Sequence, residues 1–303
     1  MSVATEGAPA PPGDTARAAS SSKKSARPRR YGPSAFGDDV RRFVNLTVTL
    51  ATTDFKLRYF GSVLGYFWSL ARPLLFFGVL YVFFTKALKL GQGVPHYPVY
   101  LLSSIILWTF FVEATAGCVQ CLLAREGLLR KMRFPRLVIP LSVALTALFN
   151  LGMNFIAVLV FALATGVEVR WSWLQLLPLI VLMATLAVGV GMLLSALYVR
   201  FRDIQPIWDV LQQILFYGSP IIYVAATYDS AKQGLEPIAV TFNPIATLLT
   251  QVGHAFVDPS YPTAAAAAGG TARLLIPLAL IGGTFALGVW FFDREAPRIA
   301  EHL

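Results

Sequence analysis

The sequence predicts an all-α polytopic membrane protein with six transmembrane helices, an N-terminal interfacial amphipathic helix and a re-entrant hairpin before the last helix. Three observations carry that reading. Residues 137–167, 171–199 and 274–292 contain no Asp, Glu, Lys or Arg, and about 20 mostly apolar residues suffice for a helix to cross the hydrocarbon core. The chain as a whole is 56% apolar with a mean hydropathy of +0.63, more than a soluble domain of this length carries. Its basic residues gather in the segments between apolar runs rather than along one face, which is how topology signals and headgroup contacts are placed, not nucleic-acid contacts, despite a net charge of +9.

Residues 1–36 are rich in Ala, Pro, Ser and basic side chains, including Arg27-Pro28-Arg29-Arg30. Such a segment cannot bury enough apolar surface to offset its ordering entropy, so a disordered cytosolic tail is expected, and it has no apolar core of a cleavable signal peptide. Residues 37–303 then form one membrane domain. Over 38–60, Asp38, Asp39, Arg41, Arg42, Asn45 and Lys56 alternate with Val40, Phe43, Val44, Leu50 and Leu57. Acids at the start and bases near the end suit the helix dipole, and the mixed character suits a helix lying in the membrane interface.

Six spans are expected at about 65–89, 97–123, 137–167, 171–199, 206–228 and 273–292. A further apolar run at 238–257 is broken by Asn243-Pro244 and carries Gln251, Gly253 and His254. It is a poor lipid-facing helix and reads as a re-entrant hairpin, because irregular backbone at membrane depth must be buried in protein or face water. With this count, 20 of the 25 Lys and Arg residues fall on one side and 5 on the other. The positive-inside rule then puts both termini in the cytosol.

No HExxH, GxSxG, dinucleotide-binding or GxxxxGK[ST] pattern is present, so neither catalysis nor ATP hydrolysis is assigned to this chain, and no cofactor is expected in it. Cys118 and Cys121 lack further ligands at metal spacing and read as packing residues. The loop after the second span mixes Arg125, Glu126, Arg130, Lys131, Arg133 and Arg136 with Leu128, Leu129, Met132 and Phe134, ahead of and around Pro135. A loop that only reversed the chain would not need those apolar side chains. A short helix docking in a partner's cleft would, although a positive-inside anchor with interfacial apolar residues also fits. Glu113, among Trp108, Phe110, Phe111 and Val112, is costly in a span unless it faces protein or water. Pairing with a base, binding a hydroxyl-rich substrate, joining a dimer seam or simply reaching water near the cytosolic end all remain open. Phe77, Tyr81 and Phe84 recur at helical spacing on the first span, as do Phe216 and Tyr223 on the fifth. Such rows stack on sugar C–H faces or serve as lipid-facing bulk.

Several motifs occur in one order: Asp54-Phe55-Lys56-Leu57-Arg58-Tyr59-Phe60-Gly61-Ser62-Val63-Leu64-Gly65-Tyr66-Phe67-Trp68-Ser69-Leu70, Ile106 to Ala114, Leu128 to Arg136, Tyr198 to Ile204, Gly218-Ser219-Pro220-Ile221-Ile222-Tyr223 and Phe242-Asn243-Pro244. Together they resemble the permease subunit of type-2 ABC exporters of polysaccharides (O-antigen, teichoic acid and mycobacterial galactan precursors). The resemblance runs from about Asp38 to the carboxyl end, while the long tail 1–36 departs from it. It implies a permease homodimer with two copies of a separate ATPase that binds ATP and Mg, and a glycan linked to polyprenyl pyrophosphate as substrate. It also implies that Glu126, Leu128, Leu129, Arg130, Lys131, Phe134, Pro135 and Arg136 couple to that ATPase. Tyr66, Trp68, Phe77, Tyr81, Phe84, Trp108, Glu113, Phe216 and Tyr223 become candidates for lining the channel. A permease for a small lipophilic molecule or drug would share much of this topology. A secondary transporter would need a coupling-ion site and internal repeats, and an intramembrane glycosyltransferase would need acidic or histidine clusters; none of these is visible.

Overall fold

The computed structural model describes residues 40–59, 65–87, 93–127, 135–224 and 235–302. The expected tail, 1–36, lies outside them. Among the described residues every regular element is helical. Helix α1 is Val40–Tyr59. Helix α2, Gly65–Val82, continues through a wider turn, Phe83–Ala87. Helix α3 is Tyr97–Val119 and α4 the short Cys121–Ala124, offset at Gln120. Helix α5 is Val138–Ala164, and α6, Leu176–Arg200, is led in by a tight turn at Trp171–Gln175. Then follow α7, Ile204–Tyr217, α8, Leu235–Phe242, α9, Pro244–Val252, α10, Ala264–Ala268, and α11, Leu275–His302.

Among the described residues, five helices are long and apolar enough to cross a membrane: Phe67–Lys86, Tyr97–Val119, Val138–Ala164, Trp171–Arg200 and Thr271–Glu295. The protein is therefore an all-α polytopic membrane protein. At 1.5 Å per residue, 23 residues of α3 rise about 35 Å, enough for the hydrocarbon core. Helix α3 is the axis of the bundle, with α2, α5, α6 and α7 packed around it, and it is buried along most of its length. Two of its hydroxyls are satisfied within the helix: Thr109 Oγ1 donates to the Ile105 carbonyl (2.8 Å) and Thr115 Oγ1 to that of Phe111 (2.8 Å), whereas the buried Ser104 Oγ has no hydrogen-bond partner among the described residues. Without that local acceptance each threonine hydroxyl would be a buried orphan.

The expected fifth span, 206–228, is shorter than its hydropathy implied. Helix α7 has 14 residues and stops at Gly218, two residues before Pro220, which cannot supply the N–H that continuation needs. Residues 219–222 are buried but not helical. Their carbonyls are satisfied by α3: Tyr97 donates its hydroxyl to the Ile222 carbonyl (2.5 Å) and Tyr100 to that of Pro220.

The Asn243-Pro244 break is a helix start rather than a defect. Asn243 Oδ1 accepts from the backbone N–H of Ile245 (3.0 Å) and Ala246 (3.3 Å), with Pro244 in the first turn, where it forfeits no bond. Its amide nitrogen donates to Ser219 Oγ (2.9 Å), tying the hairpin of α8 and α9 to the end of α7. Residues Ile245–Val252 are almost wholly buried. Beyond them Ser172 donates to the Ala255 carbonyl (2.6 Å), and Gln251 donates to Gln175 Oε1 (3.0 Å) while accepting from the Ala264 N–H (3.0 Å). The polar residues Asn243 and Gln251, which made 238–257 a poor lipid-facing helix, are thus its attachments to the end of α7, the turn before α6 and the start of α10.

Candidate functional site

Two arrangements concern function: a polar clamp between α1 and the bundle, and an apolar, aromatic face on α2 and α7.

The clamp begins at Glu113. Its carboxylate pairs with the Arg58 guanidinium and accepts from Asn150 Nδ2 (2.5 Å) through the same Oε1. Asn150 Oδ1 in turn accepts from the Tyr59 hydroxyl (2.6 Å). Burial pulls the Arg58 guanidinium down, but the charge and hydrogen bond of Glu113, with Tyr59, hold it above its ordinary value. Of the roles open to Glu113 in the sequence, the structure realises pairing with a base. Its partners were not foreseen; Asn150, an amide in the middle of a charge-free span, was a signal of the same kind as Glu113. A second tie lies alongside: Arg125 pairs with Asp54 and donates to Ser142 Oγ (3.0 Å). Thr146 donates to the Ala51 carbonyl (3.3 Å), and Phe55 packs edge-on against Phe149 at 5.8 Å. Helix α1 is therefore fastened to α3, α5 and the root of the loop after α4, while Val40, Val44, Val48 and Leu57 remain exposed on its other side.

This clamp gives a direct test. Glu113→Ala leaves Arg58 and the Asn150 amide without their acceptor. A hydrogen bond to a charged group contributes about 1.5–3 kcal/mol, and the half-exposed Arg58 recovers part of that from water, so a loss near the low end is expected. A thiol placed by Ala51→Cys, on the fully buried face of α1, should then label several-fold faster than in the otherwise unchanged protein. Glu113→Gln, which keeps an acceptor for Asn150, should fall between. Equal labelling in all three would mean that α1 is held by packing alone.

The second arrangement starts from α7. Trp208 Nε1 and Gln212 Nε2 both reach Thr115 Oγ1 (3.3 and 3.4 Å), fixing which side of α7 meets α3. The opposite side exposes Ile207, Val210, Leu211, Ile214 and Tyr217. Phe216 lies at the edge between them, 5.6 Å from Trp108 and 6.2 Å from Phe76 of α2. Helix α2 exposes Phe67, Trp68, Leu75, Phe76, Val79 and Phe83, continuing the same face.

The sequence candidates divide across this face. Trp68 is on its exposed side. Phe77 and Tyr81 stack on each other at 5.7 Å, and Phe77 meets Phe161 of α5, so that row turns toward the bundle, with Phe84 half-buried beside Phe83 at 5.3 Å. Trp108 is buried, and Tyr223 donates to the Tyr217 carbonyl (3.2 Å). The Tyr66 side chain lies outside the described residues, as do Leu128, Leu129, Arg130, Lys131 and Phe134. Glu126, Pro135 and Arg136 are described at the loop's two roots; the Pro135 and Arg136 carbonyls accept from Val138 (3.1 Å) and Ile139 (3.1 Å), opening α5. Burial pulls the Arg136 guanidinium below its ordinary value. Both thiols, Cys118 and Cys121, are buried and free.

Known proteins resemble this chain over most of its length. An O-antigen export system permease protein RfbA of Myxococcus xanthus is 29% identical over 227 residues, 75% of this chain and 85% of the relative. A protein of the same name from Klebsiella pneumoniae is 30% identical over 215 residues, 71% of this chain and 81% of the relative. Residues 45–234, which run from α1 through the clamp and the α2–α7 face, match the family described as ABC-2 type transporter, and the chain belongs to that family.

Proposed function

We propose that the chain is the membrane-spanning permease of an ATP-driven exporter of polysaccharide. The glycan, built on a polyprenyl pyrophosphate, would move from the cytosolic to the outer side of a bacterial inner membrane. The observation that carries this reading is similarity to proteins named for O-antigen export across more than two thirds of both chains. ATP hydrolysis falls to a separate ATPase, which binds ATP and Mg, because this sequence has no phosphate-cradling loop. The complex is two permeases with two ATPases.

The exposed face of α2 and α7 supports a homodimer with a channel at its seam. Its aromatic side chains, among them Trp68, Phe76, Phe83 and Tyr217, offer rings for the C–H faces of passing sugars. The helices α8 and α9 dip into the membrane from the outer side and return, and α1 lies in the cytosolic interface with both termini in the cytosol.

Deleting the gene in its own host tests the function. The expected result is loss of one surface polysaccharide with accumulation of its lipid-linked form inside the cell, restored by the gene on a plasmid. Unchanged surface glycan together with new sensitivity to a lipophilic compound would instead make the chain a small-molecule exporter.

A further inference from the structure

Three connections converge at the end of the bundle where α3 begins. They bring together His96, just before α3; Gly166, Glu168 and Arg170, after α5; and Asp258 and Pro259, beyond α9. They line a polar cavity of about 320 Å³, at the small end of the range of about 300–1,000 Å³ for small-molecule pockets. Neither the clamp nor the α2–α7 face uses any of these residues.

We propose that this cavity binds a neutral, polyhydroxylated ligand, one sugar unit of the exported polysaccharide, at the outer side of the membrane. The identity of the sugar's source rests on the function proposed above; the ligand chemistry does not.

That chemistry follows from the lining. Arg170 Nε is buried with no hydrogen-bond partner, and its Nη2 reaches only the Val257 carbonyl at 3.5 Å. An orphaned guanidinium N–H calls for an acceptor. Yet neither Glu168 nor Asp258 forms an ion pair with Arg170, although all three line the cavity. Asp258 Oδ1 accepts from the Ser260 N–H (2.8 Å), and a carboxylate has acceptor sites beyond the ones Ser260 takes. Burial pushes the Asp258 carboxyl up, but its bonds to Ser260 and the charges of Arg170 and His96 keep it below its ordinary value, and so ionised.

An anion would meet two carboxylates, and a divalent cation would meet Arg170. No group of three His, Cys, Asp or Glu side chains suited to a metal occurs among the described residues. A diol satisfies both sets at once: its hydroxyl hydrogens go to the carboxylates and its oxygen lone pairs accept from Arg170.

The walls are also fixed in advance. His96, at φ 49° and ψ 31°, is the single non-glycine residue in the left-handed region among those described, a conformation that persists only where its surroundings enforce it. Its carbonyl accepts from Val99 N–H (2.9 Å) at the start of α3, and the Tyr261 hydroxyl donates to the neighbouring Pro95 carbonyl (2.8 Å). A pre-organised site loses less entropy on binding.

The full-length protein in lipid nanodiscs would be titrated with oligosaccharides released from the host's own surface polysaccharide, followed by saturation-transfer NMR. Wild type should bind saturably, and Arg170→Ala and Asp258→Asn should each weaken binding by about tenfold or more. Arg273→Ala, a basic residue outside the cavity, should bind as wild type. Thermal unfolding of each variant separates lost binding from lost fold, and Glu168→Gln, at an exposed position, provides a variant in which folding is least at risk. Equal binding by wild type and all folded cavity variants overturns the site, whatever the gene deletion shows. Saturable binding of phosphate or calcium at Arg170 or Asp258, in place of sugar, also overturns it. If the deletion leaves surface glycan intact while an unrelated neutral oligosaccharide binds in an Arg170-dependent way, the site stands and the export reading falls.

Discussion

Gly288→Val should unfold or strongly destabilise the protein, while Gly282→Ala, on the same helix, should be neutral or slightly stabilising. Helices α6 and α11 form the most extensive helix pair in the structure, and they approach closely because two glycines face each other. A Cβ on Gly288 would lie 2.5 Å from the Gly189 carbonyl oxygen and 3.2 Å from its Cα. One on Gly189 would lie 2.8 Å from both N and Cα of Phe285. These neighbours are backbone atoms, so no side-chain rotation relieves the clash and the helices must separate. In a membrane, close backbone approach between small residues is a main source of helix association, and overpacking costs typically about 1–3 kcal/mol. Val at 288 should fall at or above the top of that range. A Cβ at Gly282 meets open space, and Ala there gains about 0.5–1 kcal/mol of helix preference over Gly. Size-exclusion after graded heating in detergent reads both: Gly288→Val should lose its monodisperse peak at a clearly lower temperature, and Gly282→Ala should not. Coincident curves would mean that α6 and α11 are not in backbone contact.

Hydropathy made the five long spans legible because a lipid-crossing helix is defined by what it lacks, and length and charge are local properties. The fifth span was overdrawn because apolarity continues past Gly218, whereas helical hydrogen bonding does not; Tyr97 and Tyr100 take over the freed carbonyls from more than 100 residues away in sequence. The same limit applies to the clamp. Glu113 was conspicuous by its cost, but its partners lie 55 and 37 residues off, and no periodicity reports such pairings. Helix α2 shows a different ambiguity. Spacing grouped Phe77, Tyr81 and Phe84 on one face, yet both faces of that helix are aromatic, so pattern alone did not say which row meets α5 and which is exposed. Glycines 189 and 288 gave no sequence signal, because their partner is on another helix. The polar cavity was likewise invisible: His96, Arg170 and Asp258 belong to three connections, each unremarkable on its own.

Replacing Leu129 and Phe134 with Asp should leave the permease in the membrane and abolish export. On the docking reading that the resemblance implies, residues Leu128, Leu129, Met132 and Phe134 of the loop between α4 and α5 would fill a partner's groove and Arg130, Lys131 and Arg133 would line its rim. The near root of the loop is anchored: Arg125 is paired with Asp54 of α1 and bonded to Ser142 of α5. If a partner docks on this loop, its push would reach α1 and α5 together, and through the clamp at Glu113 also α3. Two carboxylates at the centre of such a contact would be desolvated without partners. An uncompensated charge in an interface costs about 3–5 kcal/mol, a loss of more than 100-fold in affinity. The flanking spans and most of the basic residues that set topology remain, so insertion should be normal. Membrane abundance, co-purification of the ATPase and surface glycan should be compared between wild type and the double variant. The expected result is equal abundance, with the ATPase and the glycan both lost. Full co-purification with normal export would make the loop a topological anchor, and the ATPase would then have to act on the permease elsewhere.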